Sequence, residues 1–228
     1  MPKCARKHQL SDSLVYHVYN RGNGRNTIFH DRADYGRFIS LLRTYTARFC
    51  VKIYHWVLMP NHYHLLLEIA DPRQISKLLA GLTVSYTRYH HGVHHSCGFL
   101  WQGRFQSQAV QKESYLIACG RYIERNPVKA GIVRCAEGYE YSSARFYCFG
   151  LCDGLTSESP EYNDFGINAL LRQDSYKRFL RNTDQDNDEL WDDMEKPRGT
   201  EEFMKKLVKT NGRILPRRAG RHEVIIDL

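Results

Sequence analysis

His62 and His64 are the first residues whose type and spacing suggest chemistry. If the segment from His62 to Ile69 is a strand, side chains at i and i+2 share a face, and the two imidazoles stand about 7 Å apart along it. Leu65 and Leu67 then point the other way, into a core. Two neutral imidazoles on one face can share a metal ion. Tyr122 and Asn126 form a second pair, four residues apart and so on one face of a helix. The Asn126 side-chain oxygen completes a His, His, oxygen ligand set that suits Mg²⁺ or Mn²⁺ and leaves other positions to water and phosphate. The Tyr122 hydroxyl would sit about one helical turn from the ion. Its ordinary pKa of roughly 10 makes it a poor nucleophile at neutral pH. A metal that polarises the centre under attack lowers that demand. Tyr115 is a rival, seven residues earlier on nearly the same face. Tyr122 is preferred because Asn126 follows it at i+4, whereas Cys119, a poor Mg²⁺ ligand, follows Tyr115.

The elements that must position these residues are legible in the apolar pattern. Leu14–Asn20 is rich in β-branched and aromatic residues and predicts a strand. Arg21-Gly22-Asn23-Gly24 is turn chemistry. Asp34–Phe49 carries Phe38, Leu41, Leu42, Tyr45 and Phe49 near helical spacing. Val51–Leu58 and His62–Ile69 flank Met59-Pro60-Asn61 and predict a hairpin. Ile75–Tyr89 predicts a second helix, His90–Gly98 a loop, and Leu100–Val110 a fourth strand. Ser114–Arg125 predicts a helix that stops at Asn126-Pro127, since a residue before proline is pushed out of the helical region. The order β-α-β-β-α-β is the split βαβ, ferredoxin-like arrangement. The fold class is therefore α+β: a four-stranded antiparallel sheet, two helices on one face, then a further helix near the sheet.

The 228 residues suffice for a real core. A 42% hydrophobic and 25% charged composition describes a soluble globular protein. No apolar run approaches bilayer length, and Met1 to Leu10 is polar and basic, without the core of a signal peptide. A cytoplasmic location without membrane association is expected. The seven cysteines are scattered, with Cys148 and Cys152 the one close pair. They are read as reduced, mostly buried thiols. Residues 1–150 carry 20 Lys and Arg against 9 Asp and Glu, a net +11, and residues 151–228 a net −3. A basic main body suggests a polyanionic partner. After about Tyr147 the character changes: Asp174–Arg181 predicts a short helix, Asp184–Glu195 holds seven acids and no base, and Phe203–His222 holds seven Lys and Arg and no acid. Two domains are expected, a core over 1–147 and an extension over 148–228 with an acidic linker and a basic tail.

Four blocks occur in order: HVYNRGNGRNTIF (17–29), HWVLMPNHYHLLLE (55–68), LWQGRF (100–105) and RYIERNPVKAGIV (121–133). Together they resemble the REP-associated tyrosine transposases, of the HUH superfamily of single-strand nucleases. There His, a hydrophobic residue and His form the signature that here reads His62-Tyr63-His64. The resemblance covers roughly residues 10–147. It implies a ferredoxin-like fold, a divalent metal, and one catalytic tyrosine on a helix after the sheet, with a third metal ligand one turn later. Tyr122 and Asn126 stand at those positions. It also implies cleavage of single-stranded DNA at palindromic hairpins through a 5′-phosphotyrosine link. The released 3′-hydroxyl can then rejoin strands. Some relatives exchange the tyrosine helix between subunits, so monomer and homodimer both remain open.

Single strands are held by cationic grooves and aromatic platforms. Arg21, Arg25, Trp101, Arg104, Phe105 and Lys129 are candidates for those contacts, with core packing the competing reading for Trp101 and Phe105. Gly22 and Gly24 permit close backbone approach. Arg217, Arg218 and Arg221 in the tail resemble a basic arm that enters a minor groove. His90, His91, His94 and His95 are read as solvated loop histidines. Two other functions fit less of the pattern. A non-catalytic DNA-hairpin-binding regulator would leave the His, His, Tyr, Asn set without a task, and a zinc hydrolase of small molecules would not need the charge.

Overall fold

The computed structural model describes residues 14–182, 191 and 196–211. The elements are β1 (Val15–Arg21), α1 (Arg32–Arg48), β2 (Val51–Met59), β3 (His62–Ile69), α2 (Ile75–His94), β4 (Gln106–Ala109), α3 (Ser114–Lys129), α4 (Ala144–Phe149), α5 (Ala169–Arg181) and α6 (Glu201–Asn211). The strands form one antiparallel sheet in the order β2-β3-β1-β4. That order is the ferredoxin-like topology which the β-α-β-β-α-β succession predicts.

Strand alternation divides the chain into two layers of core. Tyr16, Val18, Leu58, Tyr63, Leu65 and Leu67 face α1 and α2, where Phe38, Leu42, Leu78, Leu79, Leu82 and Tyr86 meet them. Each such side chain contributes about 1.5–3 kcal/mol through burial. On the other face Val15, Val57, Met59 and Leu66 pack against Leu116, Cys119, Tyr122 and Ile123 of α3. Helix α3 thus covers the face that carries His62 and His64. A third cluster, with Tyr147, Tyr162, Tyr176 and Leu180 at its centre, joins α4 and α5 to Ile117 and Val128 of α3. Chain beyond Tyr147 also reaches both sheet edges. Thr156 bridges Ile53, and Arg198 exchanges backbone bonds with Ala109 and Gln111 at 2.9 and 2.8 Å. These contacts take up part of the edge N–H and C=O rows on which another chain could pair.

Several expectations are corrected. The fourth strand is short: Leu100–Phe105 is irregular, with Trp101 making one isolated bridge to Gly22. Helix α2 continues to His94 and ends at His95, in the left-handed region at φ 48°. The four histidines are therefore on and at the end of a helix, and His90 is buried. Helix α3 does not stop before Pro127 but runs through it to Lys129. A proline removes the N–H that would bond the carbonyl four residues back, here Ile123. The Asn126 amide replaces it, donating to the carbonyls of Tyr122 at 2.9 Å and Ile123 at 3.3 Å. The cysteines are not mostly buried: Cys50, Cys97 and Cys152 are exposed, while Cys119 and Cys148 are buried. The predicted 174–181 helix begins earlier, at Ala169. Part of the basic tail is α6, whose Leu207 joins the first core cluster. Trp191 sits inside the acidic stretch Asp184–Glu195, yet it is 4% exposed. The rest of that stretch, residues 1–13, and the tail arginines Arg217, Arg218 and Arg221 lie outside the described residues.

Candidate active site

The hairpin places His62 opposite Arg21, and His64 opposite Tyr19, across the β1–β3 ladder. The imidazoles of His62 and His64 stand nearly perpendicular with centroids 5.2 Å apart. Tyr122 comes down from α3 with its ring edge-on to His64 at 5.6 Å. The Asn126 side chain lies close enough to His62 to bear on its protonation. The structure therefore brings together His62, His64, Tyr122 and Asn126. Tyr115 is half-buried, packed against the second core cluster.

Sequence reasoning missed the groups that orient this set. His17, on β1, is fully buried, and its Nε2 lies 2.9 Å from His64 Nδ1. Its Nδ1 lies 3.3 Å from Gln108 Oε1, and Gln108 donates through Nε2 to the carbonyl of Lys196 at 3.2 Å. That last bond fixes which end of the amide is oxygen. Gln108 Oε1 can only accept, so His17 Nδ1 donates and His17 Nε2 accepts. His64 Nδ1 must then be the donor, which leaves its Nε2 as a bare lone pair. The same logic holds for His62. Asn61 donates through Nδ2 to the carbonyl of Arg25 at 3.1 Å, so its Oδ1 accepts from His62 Nδ1 at 2.6 Å. His62 Nε2 is again left as a lone pair. Asn126 spends its amide donor on the helix and leaves Oδ1 to accept or ligate. Two unprotonated nitrogens and one oxygen result, each fixed by a partner, as metal-ligating histidines characteristically are. The signal available in the sequence was strand alternation: Val15, His17 and Tyr19 share the face of His62 and His64.

Electrostatics favour the ligating form. Burial lowers the pKa of His62 to about 4, against the nearby Asn126 side chain, which raises it, with the Arg21 charge adding to the fall. Burial likewise brings His17 to about 4, opposed by its bond to Gln108. His64 is pushed well below its usual range, by burial first and then by His17, His62 and Lys129. All three are neutral at pH 7. The charges that act on them are cations, which suits an anionic ligand. Lys129 holds its ammonium 4.9 Å from the centre of the Tyr122 ring. Arg21 is half-buried and bonds Gln102, while Arg25 and Arg104 are exposed.

The two aromatic candidates lie elsewhere. Phe105 is 6% exposed in the first core cluster. Trp101 packs on Phe38, Tyr63 and Tyr86, with its indole N–H donated to Thr87 Oγ1 at 3.0 Å. Neither offers an open ring face beside the histidines. The turn at Gly22 is obligatory, since a Cβ there would lie 2.2 Å from the carbonyl oxygen of Asn26. Trp191, from the extension, closes the site with its ring 6.5 Å from those of both His17 and Tyr122.

Residues 11–126 match the profile of the family described as transposase IS200 like. The chain belongs to that family. No curated protein matches it. Among solved structures, a REP-associated tyrosine transposase bound to a REP hairpin is similar at 21% identity and a TM-score of 0.55, over 69% of this chain and 92% of that one. A Deinococcus radiodurans protein described as a candidate transposase aligns at 21% identity over 55% of this chain and 97% of its own, with a TM-score of 0.38. The first likeness shows the shared fold. Among the described residues, no helix of this transposase is long and apolar enough to cross a membrane.

Proposed function

We propose that this transposase is a metal-dependent single-strand DNA endonuclease and strand transferase that works through a covalent bond to Tyr122. The observation that carries the reading is the convergence of the Tyr122 ring, two histidines with unprotonated Nε2 atoms and the Asn126 side chain at one place. His62 Nε2, His64 Nε2 and Asn126 Oδ1 would hold one Mg²⁺ or Mn²⁺. When bound, such an ion supplies Lewis-acid stabilisation of charge on the phosphate oxygens. Tyr122 Oη attacks phosphorus and forms the 5′-phosphotyrosine bond as the bond from phosphorus to the 3′-oxygen breaks. The tyrosine proton leaves to water and the 3′-oxygen takes one up from water, because among the described residues no side chain at the site is an evident acid or base. Lys129 and Arg21 would neutralise the phosphate, and Arg25 and Arg104 would track the backbone beyond it. The reverse attack by a 3′-hydroxyl rejoins strands. Palindromic hairpins are the proposed substrate, by analogy with the REP hairpin held by the structural relative.

The test is to incubate the full-length chain with labelled single-stranded hairpins and Mn²⁺, then separate the products on a denaturing gel. Label migrating with the protein, lost in Tyr122→Phe and kept in Tyr115→Phe, is expected. A second reading, a regulator that binds hairpins without cutting them, is favoured by one observation: Tyr122 is only 5% exposed, beside Trp191. Tight hairpin binding with no adduct in the wild-type chain would establish that reading instead.

A further inference from the structure

On the helical side of the sheet, away from Tyr122, three more histidines converge. His90 and His94 are one turn apart on α2, and His30 comes from the loop before α1. The ring centroids lie 4.5 Å apart for His30–His94 and His90–His94, and 5.4 Å for His30–His90. One nitrogen from each falls within 4.8 Å of the other two. Asp34 pairs through its carboxylate with His94 and takes the backbone N–H of His30, so a salt bridge does not account for gathering all three rings around one point.

The hydrogen bonds decide which nitrogens face that point. His91 lies 3.1 Å through Nε2 from the carbonyl of Gly98, an acceptor only, so Nε2 is its donor. In the neutral ring Nδ1 then accepts a hydrogen bond that the Ser96 hydroxyl donates at 2.8 Å. Ser96 Oγ can therefore only accept from His90 Nδ1, at 3.3 Å. That leaves His90 Nε2 as a lone pair. This atom is buried and has no hydrogen-bond partner, in a side chain whose residue is 5% exposed. A buried nitrogen of this kind is expected to have a ligand. His94 donates Nε2–H to both carboxylate oxygens of Asp34 at 3.0 Å, which frees Nδ1. Asp34 is fully buried and also accepts from the backbone N–H of His30 at 2.8 Å. A carboxylate behind a ligating imidazole is the common second layer of a zinc site.

We propose that His30, His90 and His94 form a second cation site, selective for zinc and separate from the His62, His64 and Asn126 set. An all-imidazole set fits Zn²⁺ far better than Mg²⁺, which prefers oxygen. Three protein ligands leave a fourth tetrahedral position to water, on the side where His30 is exposed. Nitrogens on a zinc ion at 2.0–2.1 Å lie roughly 3.4 Å apart. Rotation of the exposed His30 ring is the movement that closes the set. The ion would tie the loop before α1 to the end of α2, a clamp on the layer beneath the sheet.

The test uses the full-length chain, stripped of metal and held in excess Mg²⁺, titrated with Zn²⁺ against a chromogenic chelator. A His62→Ala/His64→Ala variant is titrated alongside. One Zn²⁺ per chain is expected in both. Thermal unfolding should rise by about 5 °C or more at a hundredfold excess over Kd. His30→Ala, at an exposed residue that leaves the core intact, should abolish the binding, and Asp34→Asn should weaken it 10–100-fold. Zinc binding that disappears in His62→Ala/His64→Ala, or that survives in His30→Ala unchanged, would overturn the proposal. So would a wild-type chain that takes up no zinc.

Discussion

His17 supplies none of the proposed ligand atoms, although its ring packs edge-on to Tyr122 at 5.8 Å, and the hydrogen-bond chain makes it the residue that sets the tautomer of His64. Replacing it with leucine keeps the volume and removes both ring nitrogens. His64 Nδ1–H and Gln108 Oε1 are then left buried without their partner. Each orphaned group costs about 1–3 kcal/mol, against a total stability of about 5–15 kcal/mol for a domain. The variant should fold, but less stably, as a lower urea midpoint would show. Its effect on metal binding is the sharper result. Removal of a partner that orients a ligating imidazole weakens metal affinity by about 10–100-fold, which is about 1.4–2.8 kcal/mol. The assay is a Mn²⁺ titration of adduct formation on one hairpin, read as the concentration giving half the maximal yield. That midpoint should rise 10–100-fold in His17→Leu. It should recover in part in His17→Gln, whose Oε1 can still accept from His64. A folded His17→Leu chain with the wild-type Mn²⁺ midpoint would refute the orientation argument, whatever happened to its stability.

The metal-free protein should lose stability as pH falls. His17 and His62 have folded pKa values of about 4 against an ordinary 6.5, so the unfolded chain takes up protons first. Their contribution is complete above pH 6.5, declines between 6.5 and 4, and amounts to at most about 3 kcal/mol each. Urea midpoints measured across that range check it, and the slope should be smaller in His17→Leu. Gly120→Ala should destabilise the chain although alanine favours a helix by about 1 kcal/mol. Its Cβ would lie 2.5 Å from the ring of His55, and overpacking of this kind costs about 1–3 kcal/mol or more; a raised melting temperature would contradict the close packing of α3 on β2. Asn126→Ala should remove adduct formation and about 1 kcal/mol of stability, because one side chain both bonds the carbonyls of Tyr122 and Ile123 and presents the ligand oxygen. Adduct formation by Asn126→Ala at the wild-type Mn²⁺ concentration would exclude the oxygen from the ligand set.

The sequence by itself determined the strand order and the pairing of chemistry with faces. Period-two alternation around His62 and His64 and period-3.6 spacing in α1 and α2 are local patterns, and local geometry translates them into sides of a sheet or helix without knowledge of the partner. The helix that would carry Tyr122 and Asn126 was legible for the same reason. Its end was not, because a proline rule describes the backbone alone, and the Asn126 amide supplies the bond that the rule counts as lost. Tertiary structure decided the rest. Helix α3 could have packed anywhere on the sheet until Val57, Met59 and Leu66 met Leu116 and Ile123 on the face of the histidines. His17 and Gln108 are 91 residues apart and became a relay only when β4 paired with β1. Trp101 and Phe105 could have been platforms or core, and the neighbours that made them core come from α1, α2 and β3. His90 and His94 looked like solvated residues until α2 extended to hold them one turn apart, with His30 fixed alongside by Asp34. A chain's own spacing sets which way a side chain points; only packing between distant segments sets what it points at.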